Sequence, residues 1–369
     1  MSATRTEKVP GEKTALRELG LTPEMDSYIS DNLPPQSQIG RVIREHRERY
    51  AVSDGENEFD AEITGNMRYS AVSRKDFPAV GDWVTITPYG PDQAIINGIL
   101  PRKSLLARQA VGKPGEIQII SSNIDCAFIV QAISNNFNIN RLERYLTICY
   151  SAGIEPVLVL SKIDLVSGDE VAEAVSAIEK RGREVRYILL SNMTGEGVDR
   201  VISLMQKGLT YCVIGSSGVG KSTLINTLLQ REALRTGAIS SSTNKGRHVT
   251  EHRELFLLDN GSIIIDTPGM KELGLTDDSE GLSTTFGDIQ KLSAECRYPD
   301  CRHVSESGCA VREAVEKGVI SRESYENYLK MMREQERYAT TVAEKRRKEK
   351  QFGKLVKTYH RIKRENGEG

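Results

Sequence analysis

The chain contains 369 residues, of which 38% are hydrophobic and 27% charged, with a formal net charge of −1. This length accommodates two or three domains, whereas no apolar run reaches the roughly 18 residues that a membrane-spanning helix requires. The sequence starts without the apolar stretch of a secretory signal, and three of its six cysteines stand singly in apolar stretches, as is usual in a reducing compartment. We therefore predict a cytoplasmic, monomeric protein with no membrane partner.

Residues 1–37 are predicted to lie outside the first folded domain. They are mainly polar, with one short amphipathic stretch around 15–28 and a Pro-Pro pair at 34–35. The pattern indicates either an extension or a loosely held helix.

Residues 38–110 contain short runs that alternate apolar and polar side chains, separated by turn residues about every ten positions. The clearest runs are 40–43, 59–63, 82–86 and 94–99. Five or so strands in about 70 residues are typical of an OB-type barrel, a fold that binds oligonucleotides. A small β-sandwich or an SH3-like barrel is the alternative.

From residue 111 to 275 the apolar runs lengthen and alternate with helical patterns. Strands are predicted at 125–131, 155–160, 184–190 and 211–214, and helices at 141–151, 168–180 and 198–207. Strands that alternate with helices indicate a parallel sheet covered on both faces.

A phosphate-binding loop follows the last of these strands. Residues 215–222 read Gly-Ser-Ser-Gly-Val-Gly-Lys-Ser, in which glycines let backbone amides approach phosphates and Lys221 offers its ammonium to the outer phosphates during catalysis. Ser222 is predicted to place its hydroxyl on Mg²⁺, and the next helix presents its positive end to the anion. The predicted nucleotide contacts are Gly215, Ser216, Ser217, Gly218, Val219, Gly220, Lys221, Ser222 and Thr223.

Further downstream, an Asp-Thr-Pro-Gly motif ends an apolar strand. Asp266 is predicted to hold Mg²⁺ through water, and the Gly269 amide to contact the terminal phosphate. Residues 237–253 are rich in Ser, Thr and Gly and are predicted to be a mobile switch segment. Thr250 is the candidate hydroxyl that completes Mg²⁺ coordination. His248 is the candidate for positioning the attacking water, with an exposed loop histidine as the alternative.

The guanine-recognition signature stands upstream of the phosphate loop, in the reverse of the usual order. Ser161-Lys162-Ile-Asp164 follows a buried strand, and Asp164 would accept hydrogen bonds from the guanine N1–H and exocyclic amine, which adenine cannot satisfy. Lys162 would pack along the base, and the Ser161 hydroxyl, where Asn or Thr is usual, is still able to tie loops together. Ser191 fits the loop that covers guanine. Residues 111–275 are thus predicted to be a circularly permuted α/β GTPase domain that binds GTP rather than ATP.

Three cysteines and one histidine cluster after these motifs. The spacing Cys296-x4-Cys301-x-His303-x5-Cys309 supplies four ligands of the kind found in closed, structural Zn²⁺ sites. Chance clustering is the alternative. Because a metal would order a loop-rich region with few apolar residues, residues 276–325 are predicted to be a mainly helical zinc-binding domain.

Residues 326–369 are predicted to form a basic helix or tail. From Lys330 to Arg364 there are thirteen Lys or Arg and four Glu, a net charge of +9, with Tyr338, Phe352 and Tyr359 interspersed. Cations with aromatics suit RNA phosphate contact and base stacking, and a solvated or disordered tail is the alternative.

The reversed motif order, the preceding barrel and the Cys-Cys-His-Cys cluster together resemble the bacterial ribosome-small-subunit-dependent GTPase A family (RsgA, also called YjeQ) over residues 38–325. Further matching segments are Gly81-Asp82-Trp83-Val84, Asn123-Ile-Asp125 and Gly246-Arg-His248. The resemblance implies that His248 is catalytic and that a hydrophobic residue, here Met270, replaces a catalytic glutamine. The chain departs from the family pattern at Ser161, Asn192 and Val249.

The same resemblance implies a late assembly factor that binds the small ribosomal subunit and hydrolyses GTP to GDP when docked there. It implies an OB barrel on rRNA, a zinc domain on another part of the subunit, and release of the protein after hydrolysis. Two other classes are an ATPase or nucleic-acid helper that works without ribosomes and an RNA-binding protein whose phosphate loop does not turn over. Competition of ATP against labelled GTP distinguishes the first class from a GTPase. The effect of Lys221→Ala on the cellular role distinguishes the second, because a protein without turnover would keep that role.

Overall fold

The computed structural model describes residues 10–46, 48–110, 112, 115–133, 137–181, 185–230, 253–267, 274–275 and 279–365. The N-terminal segment is folded onto the barrel as two helices, α1 Pro10–Glu18 and α2 Pro23–Asn32. Their buried side chains, among them Leu16 and Ile29, pack in one cluster with Trp83 of the barrel. The amphipathic stretch of this segment therefore covers one side of the barrel.

Five strands close into a barrel in the order β1-β2-β3-β5-β4, since β1 pairs with both β2 and β4. The third and fifth strands are parallel, and α3 with a short 3-10 turn joins β3 to β4. The elements are β1 Gln38–His46, β2 Arg49–Ser53, β3 Glu58–Ile63, α3 Gly65–Ser70, β4 Trp83–Pro88 and β5 Gln93–Ile99. Alternate residues of β3 are buried, so one face fills the barrel. This closed arrangement confirms the OB-type barrel.

A two-stranded hairpin follows the barrel, formed by β6 Leu105–Gln109 and β7 Ile117–Ser122. It spans residue 110, where the sequence pattern places a domain boundary. The hairpin was not among the predicted strands.

The nucleotide-binding region is built on six strands in the order β10-β9-β8-β11-β13-β12, all parallel except β12. They are β8 Cys126–Ala132, β9 Glu155–Ser161, β10 Tyr187–Leu190, β11 Thr210–Ile214, β12 Arg253–Leu257 and β13 Ile263–Asp266. The accompanying helices are α4 Ile139–Ser151, α5 Gly168–Lys180, α6 Val198–Leu204 and α7 Lys221–Leu228. Every residue of β8 and β11 is buried, as expected for central strands covered on both faces.

Predicted and observed elements agree closely here. The helix α5 has the predicted bounds, and β8, β9, β11 and α4 differ from prediction by one or two residues. The strand β10 begins three residues late, and α6 ends at Leu204 because Met205 adopts extended backbone. Short end segments carry the weakest periodic signal, which explains these differences.

The barrel and the nucleotide-binding sheet share hydrogen bonds. The strand β1 pairs antiparallel with β12, with Arg44 opposite Glu254 and Glu45 opposite Arg253. Because β12 directly follows the predicted switch segment along the chain, the barrel is connected to the strand beside that segment.

The C-terminal part is helical, with α8 Ser279–Thr285, α9 Gly287–Ser293, α10 Ala310–Glu316 and α11 Arg322–Glu365. The last helix has 44 residues and runs through the predicted boundary at 325/326 into the basic segment. Within the described ranges, none of the helices combines the length and apolarity that crossing a membrane requires.

Candidate functional site

The phosphate loop lies between β11 and α7 and depends on glycine at two positions. A Cβ on Gly215, where φ is 149°, would lie 2.3 Å from the Val130 carbonyl oxygen. Gly220 has φ of 96° at the N-cap of α7. The Lys221 Nζ donates to the Ser216 carbonyl oxygen at 2.6 Å and therefore lies across the loop. The loop has the shape and the charge needed to hold phosphates.

The predicted guanine-recognition segments are hydrogen-bonded to this loop. The buried Ser161 hydroxyl donates to the Val219 carbonyl oxygen at 2.7 Å, so this serine ties the two loops together. The Asn192 Nδ2 donates to the Gly220 carbonyl oxygen at 3.1 Å. Residues that are 28 to 58 positions apart thus form one pocket edge.

Asp164 is held by the neighbouring strand end. The Ser191 hydroxyl donates to Asp164 Oδ1 at 2.6 Å and accepts from the backbone N–H groups of Met193 and Thr194. Lys162 has φ of 62°, a left-handed conformation that turns the chain sharply between β9 and Asp164. The Asp164 carboxylate is exposed to solvent, so a base is able to reach it.

Asp266 and Ser222 are the candidate oxygen ligands for Mg²⁺ beside the phosphate loop. β11 and β13 are adjacent and parallel, so Asp266, which ends β13, lies beside the loop that follows β11. Burial raises the pKa of Asp266 to about 6, against the opposing effect of the Lys221 ammonium. Hydroxyl and carboxylate oxygens are ligands that Mg²⁺ accepts, and these two residues fit that ion.

Four residues predicted or implied to act on the terminal phosphate are His248, Thr250, Gly269 and Met270. They lie outside the described residues, as do Gly246 and Val249, and their roles stay predictions.

The four predicted metal ligands do converge. The ligand atoms of Cys296, Cys301, His303 and Cys309 all lie within 4.8 Å of one another. Cys296 Sγ is 3.9 Å from Cys309 Sγ and 3.6 Å from His303 Nδ1. In a tetrahedral zinc site with Zn–S bonds of about 2.3 Å, sulfurs lie roughly 3.8 Å apart. The cluster therefore fits a metal ion with four ligands.

Neighbouring groups set the orientation of this cluster. The Ser293 hydroxyl is 3.0 Å from His303 Nε2, which leaves Nδ1 directed at the thiols. The Tyr325 hydroxyl on α11 donates to the His303 carbonyl oxygen at 2.5 Å. Burial opposes ionisation of Cys296, but hydrogen bonds from the backbone N–H groups of Val311 and Ala310 and from the Cys301 and Cys309 thiols together lower the pKa of its thiol. No disulfide joins any of the six cysteines, all of which are described.

A set of contacts that the sequence did not predict holds the chain just after the Asp266 motif. Glu334 on α11 accepts hydrogen bonds from the Leu275 backbone N–H at 2.9 Å and from both terminal nitrogens of Arg144 on α4, at 2.8 and 2.6 Å. The Gln109 side chain donates to the Leu275 carbonyl oxygen. We call these four residues the Leu275 clamp. Burial opposes ionisation of Glu334, but the hydrogen bonds from Arg144 and Leu275 lower its pKa.

No sequence signal reveals this clamp, because Arg144 and Glu334 are 190 positions apart.

The basic helix also differs from expectation at one aromatic side chain. Tyr338 is only 8% exposed, so it packs inside the protein and is not available to stack on a base. The side chains of Phe352 and Tyr359 lie outside the described part of the chain.

Three comparisons place these features among known proteins. A family profile described as RsgA GTPase matches residues 99–276. The chain is 44% identical over 296 residues to the small ribosomal subunit biogenesis GTPase RsgA 2 of Lactiplantibacillus plantarum, covering 80% of this chain and 83% of that protein. It is 40% identical over 335 residues to RsgA 1 of Bacteroides thetaiotaomicron, covering 89% and 94%.

Two solved structures have a similar fold. The crystal structure of YjeQ from Thermotoga maritima superposes with a TM-score of 0.61 at 28% identity, over 81% of this chain and 98% of that one. YloQ, described as a circularly permuted GTPase, superposes with a TM-score of 0.57 at 23% identity, over 82% and 96%, and this second similarity concerns the fold alone.

Proposed function

This chain belongs to the RsgA GTPase family, and we propose that it is a GTP hydrolase that acts late in the assembly of the small ribosomal subunit. The observation that carries the proposal is the pocket edge formed by Ser161 on Val219 and by Asn192 on Gly220. These contacts join Ser161 and Asn192 to the phosphate loop, although both residues precede it in the sequence, and they support the proposed guanine pocket. One guanine nucleotide is then able to contact the base-recognition segments and the phosphate loop at the same time.

In the proposed pocket, Asp164 accepts from the guanine N1–H and exocyclic amine, and Ser191 holds that carboxylate in place. Lys162 packs along the base. The loop residues Gly215 to Thr223 contact the phosphates through backbone N–H groups, hydroxyls and the Lys221 ammonium. ATP is disfavoured because adenine leaves the Asp164 carboxylate without donors.

For hydrolysis, we assign Ser222, Asp266 and Thr250 to hold Mg²⁺, Asp266 acting through water. When bound, Mg²⁺ neutralises charge on the phosphate oxygens. His248 orients the attacking water, and the Gly269 amide contacts the terminal phosphate. Lys221 stabilises the negative charge that grows on the leaving group as the bond to the terminal phosphate breaks.

The fold supports transmission of the nucleotide state to the flanking parts of the protein. The chain enters β12, which pairs with the barrel strand β1, directly after the proposed switch segment. Past Asp266, the chain enters the Leu275 clamp and is bonded there to the long helix α11. A change at the terminal phosphate would therefore act on the barrel and on the helical region together. We propose that both contact rRNA, that GTP favours the docked state and that hydrolysis favours release.

The remaining assignments complete the proposal. Zn²⁺ is the metal we assign to the Cys296, Cys301, His303 and Cys309 cluster, since three thiolates and one imidazole suit that ion in a structural role. We propose domains at 38–110, 111–275 and 276–325, flanked by residues 1–37 and the basic segment 326–369. The hairpin β6–β7 bridges the first boundary, and α11 runs through the last. We assign the protein to the cytoplasm as a monomer in complex with 30S subunits.

The test is multiple-turnover GTP hydrolysis with purified small subunits, with large subunits, and with neither. We expect low activity alone and a large increase with small subunits only. Lys221→Ala should abolish the increase, whereas Lys180→Ala, at an exposed position on α5, should not. Equal rates under all three conditions would contradict the proposal, and displacement of labelled GTP by equimolar ATP would contradict the guanine assignment.

A further inference from the structure

An arginine outside the recognised motifs reaches the phosphate loop. Arg141 lies in the first turn of α4, and its Nη1 donates to the Ser216 hydroxyl at 3.4 Å. Ser216 is the second residue of the phosphate loop and also accepts, through its carbonyl oxygen, from the Lys221 ammonium. Two cations from different parts of the chain thus contact the same loop residue.

The position of this arginine is fixed by the start of its helix. The Asn138 side chain caps α4 by accepting from the Arg141 backbone N–H at 2.9 Å. The Asn138 N–H in turn donates at 3.3 Å to the side chain of Gln131, which is 1% exposed at the end of β8. β8 is hydrogen-bonded to β11, the strand that leads into the phosphate loop. The start of α4, which carries Arg141, is therefore fixed to the same sheet that leads into the phosphate loop.

Phosphoryl transfer requires positive charge close to the terminal phosphate. As a water oxygen bonds to the terminal phosphorus, the bond from that phosphorus to the bridging oxygen breaks, and the electron pair leaves with GDP while the proton of water passes to the phosphate product or to solvent. Negative charge grows on the transferred and leaving oxygens, where cations fixed in advance lower the barrier. A guanidinium stays charged at all physiological pH values and presents several N–H donors in one plane.

We propose that Arg141 is a cation of the phosphate site, supplied by the chain itself, that stabilises the transition state of GTP hydrolysis. Its Nη1 bonds to Ser216, and the fixed positive charge of the guanidinium acts on the phosphate oxygens. This inference rests on the proposed function, since it concerns the same reaction. It adds a residue that belongs to none of the nucleotide-binding motifs.

The experiment compares wild type, Arg141→Gln, Arg141→Lys and Arg200→Gln in the full chain. Arg200 is an exposed arginine on α6 and serves as the matched control. Single-turnover GTP hydrolysis is measured with small subunits present, together with binding of GDP and of GDP plus aluminium fluoride, which imitates the transferred phosphoryl group. Thermal unfolding of each variant reports whether it is folded.

We expect Arg141→Gln to lower the hydrolysis rate about 100-fold, the scale found when one donor to a developing oxyanion is removed. Binding of GDP plus aluminium fluoride should weaken by a similar factor, GDP binding should stay within about threefold, and Arg141→Lys should recover part of the loss. The Arg200→Gln control should match wild type.

Three results would overturn the assignment: an unchanged hydrolysis rate, an equal loss of GDP binding, or a Lys variant that unfolds at the wild-type temperature yet recovers nothing. Loss of GDP binding would show that Arg141 only supports the shape of the loop. If wild type itself fails to hydrolyse GTP with small subunits, the proposed function fails instead, so the two failures are distinguishable.

Discussion

Replacement of Arg41 by Met should loosen the junction between the barrel and the nucleotide-binding sheet. Arg41 lies on β1 and is 1% exposed, although it carries a charge. Its guanidinium donates to the carbonyl oxygens of Leu19, Gly81 and Asn123 and to the Thr210 hydroxyl. It therefore joins the turn after α1, the barrel, the turn before β8 and the first residue of β11 at one point.

The magnitude follows from two opposing contributions. Met has a similar volume but no donors. The Leu19 and Asn123 carbonyl oxygens and the Thr210 hydroxyl therefore lose a hydrogen bond, whereas the Gly81 carbonyl keeps one from Asn123 Nδ2 at 3.0 Å. The total cost is roughly 4 to 8 kcal/mol. Burial has lowered the pKa of Arg41 to about 10. The net change in pKa corresponds to about 3 kcal/mol. Because Asp125 and Asp82 act in the opposite direction, the desolvation that the variant recovers is at least this large. The net loss of stability at the junction should be roughly 1 to 5 kcal/mol.

Hydrogen exchange of backbone amides is the suitable assay, because a chain with several domains does not unfold as one unit. The N–H groups of Val42 and Gly81, which bond to the Asp82 and Val42 carbonyl oxygens at 2.8 Å, report on the junction. Their exchange should become about 5- to 5,000-fold faster in Arg41→Met, the range that the free-energy loss implies. Arg44→Met is the control. Arg44 lies on the same strand, is 48% exposed and pairs with glutamates at the surface, so its loss should cost less than about 1 kcal/mol.

Two outcomes would refute this reasoning about Arg41. Equal exchange in the Arg41 and Arg44 variants would show that the buried hydrogen bonds contribute little. A uniform increase across the sheet, far from β1, would show that the arginine supports general stability rather than the junction.

Three further predictions concern the metal, the base and the clamp. Cys309→Ser should reduce bound zinc, measured by elemental mass spectrometry, from one ion per chain to a small fraction, and retention of the full ion would contradict the ligand assignment. Asp164→Asn should weaken GTP binding about 100-fold, since one acceptor replaces two, and should let xanthosine triphosphate compete, because the amide also offers a donor to its base. Glu334→Gln should lower the small-subunit-stimulated rate several-fold through a weaker hold on Leu275 while the rate without subunits is unchanged. Glu336→Gln, at a surface ion pair on the same helix, is the control and should match wild type.

Local patterns predicted much of the fold because each depends on residues near one another in sequence. Alternation along strands such as Glu58–Ile63 specified the barrel, and the helical pattern of Gly168–Lys180 gave both ends of α5. The capping box of Ser167 and Glu170 explains why that helix starts where it does. The hairpin β6–β7 was missed, although Gly112-Lys-Pro-Gly115 between its two strands is a clear turn signal.

Contacts between distant segments had no such signal. The Leu275 clamp and the hydrogen bonds of Arg41 each join residues more than 20 positions apart, and their members are ordinary arginines, glutamates and carbonyl groups. Arg141 lies at the start of a helix whose sequence contains no nucleotide-binding motif, and only its position in the fold brings it to Ser216.

The sequence by itself indicated the chemistry that we propose for this protein: a phosphate loop, an acidic residue for base recognition and a compact set of candidate metal ligands. Each motif is a short segment whose glycines, charged groups or thiols stand at a fixed spacing. Residues close together in the sequence are therefore enough to indicate its chemistry. The tertiary structure alone decided that the permuted segments meet in one pocket. Parallel strands bring their carboxyl ends to one edge of the sheet whatever their order along the chain, and that is why Ser161 reaches Val219 from 58 positions away.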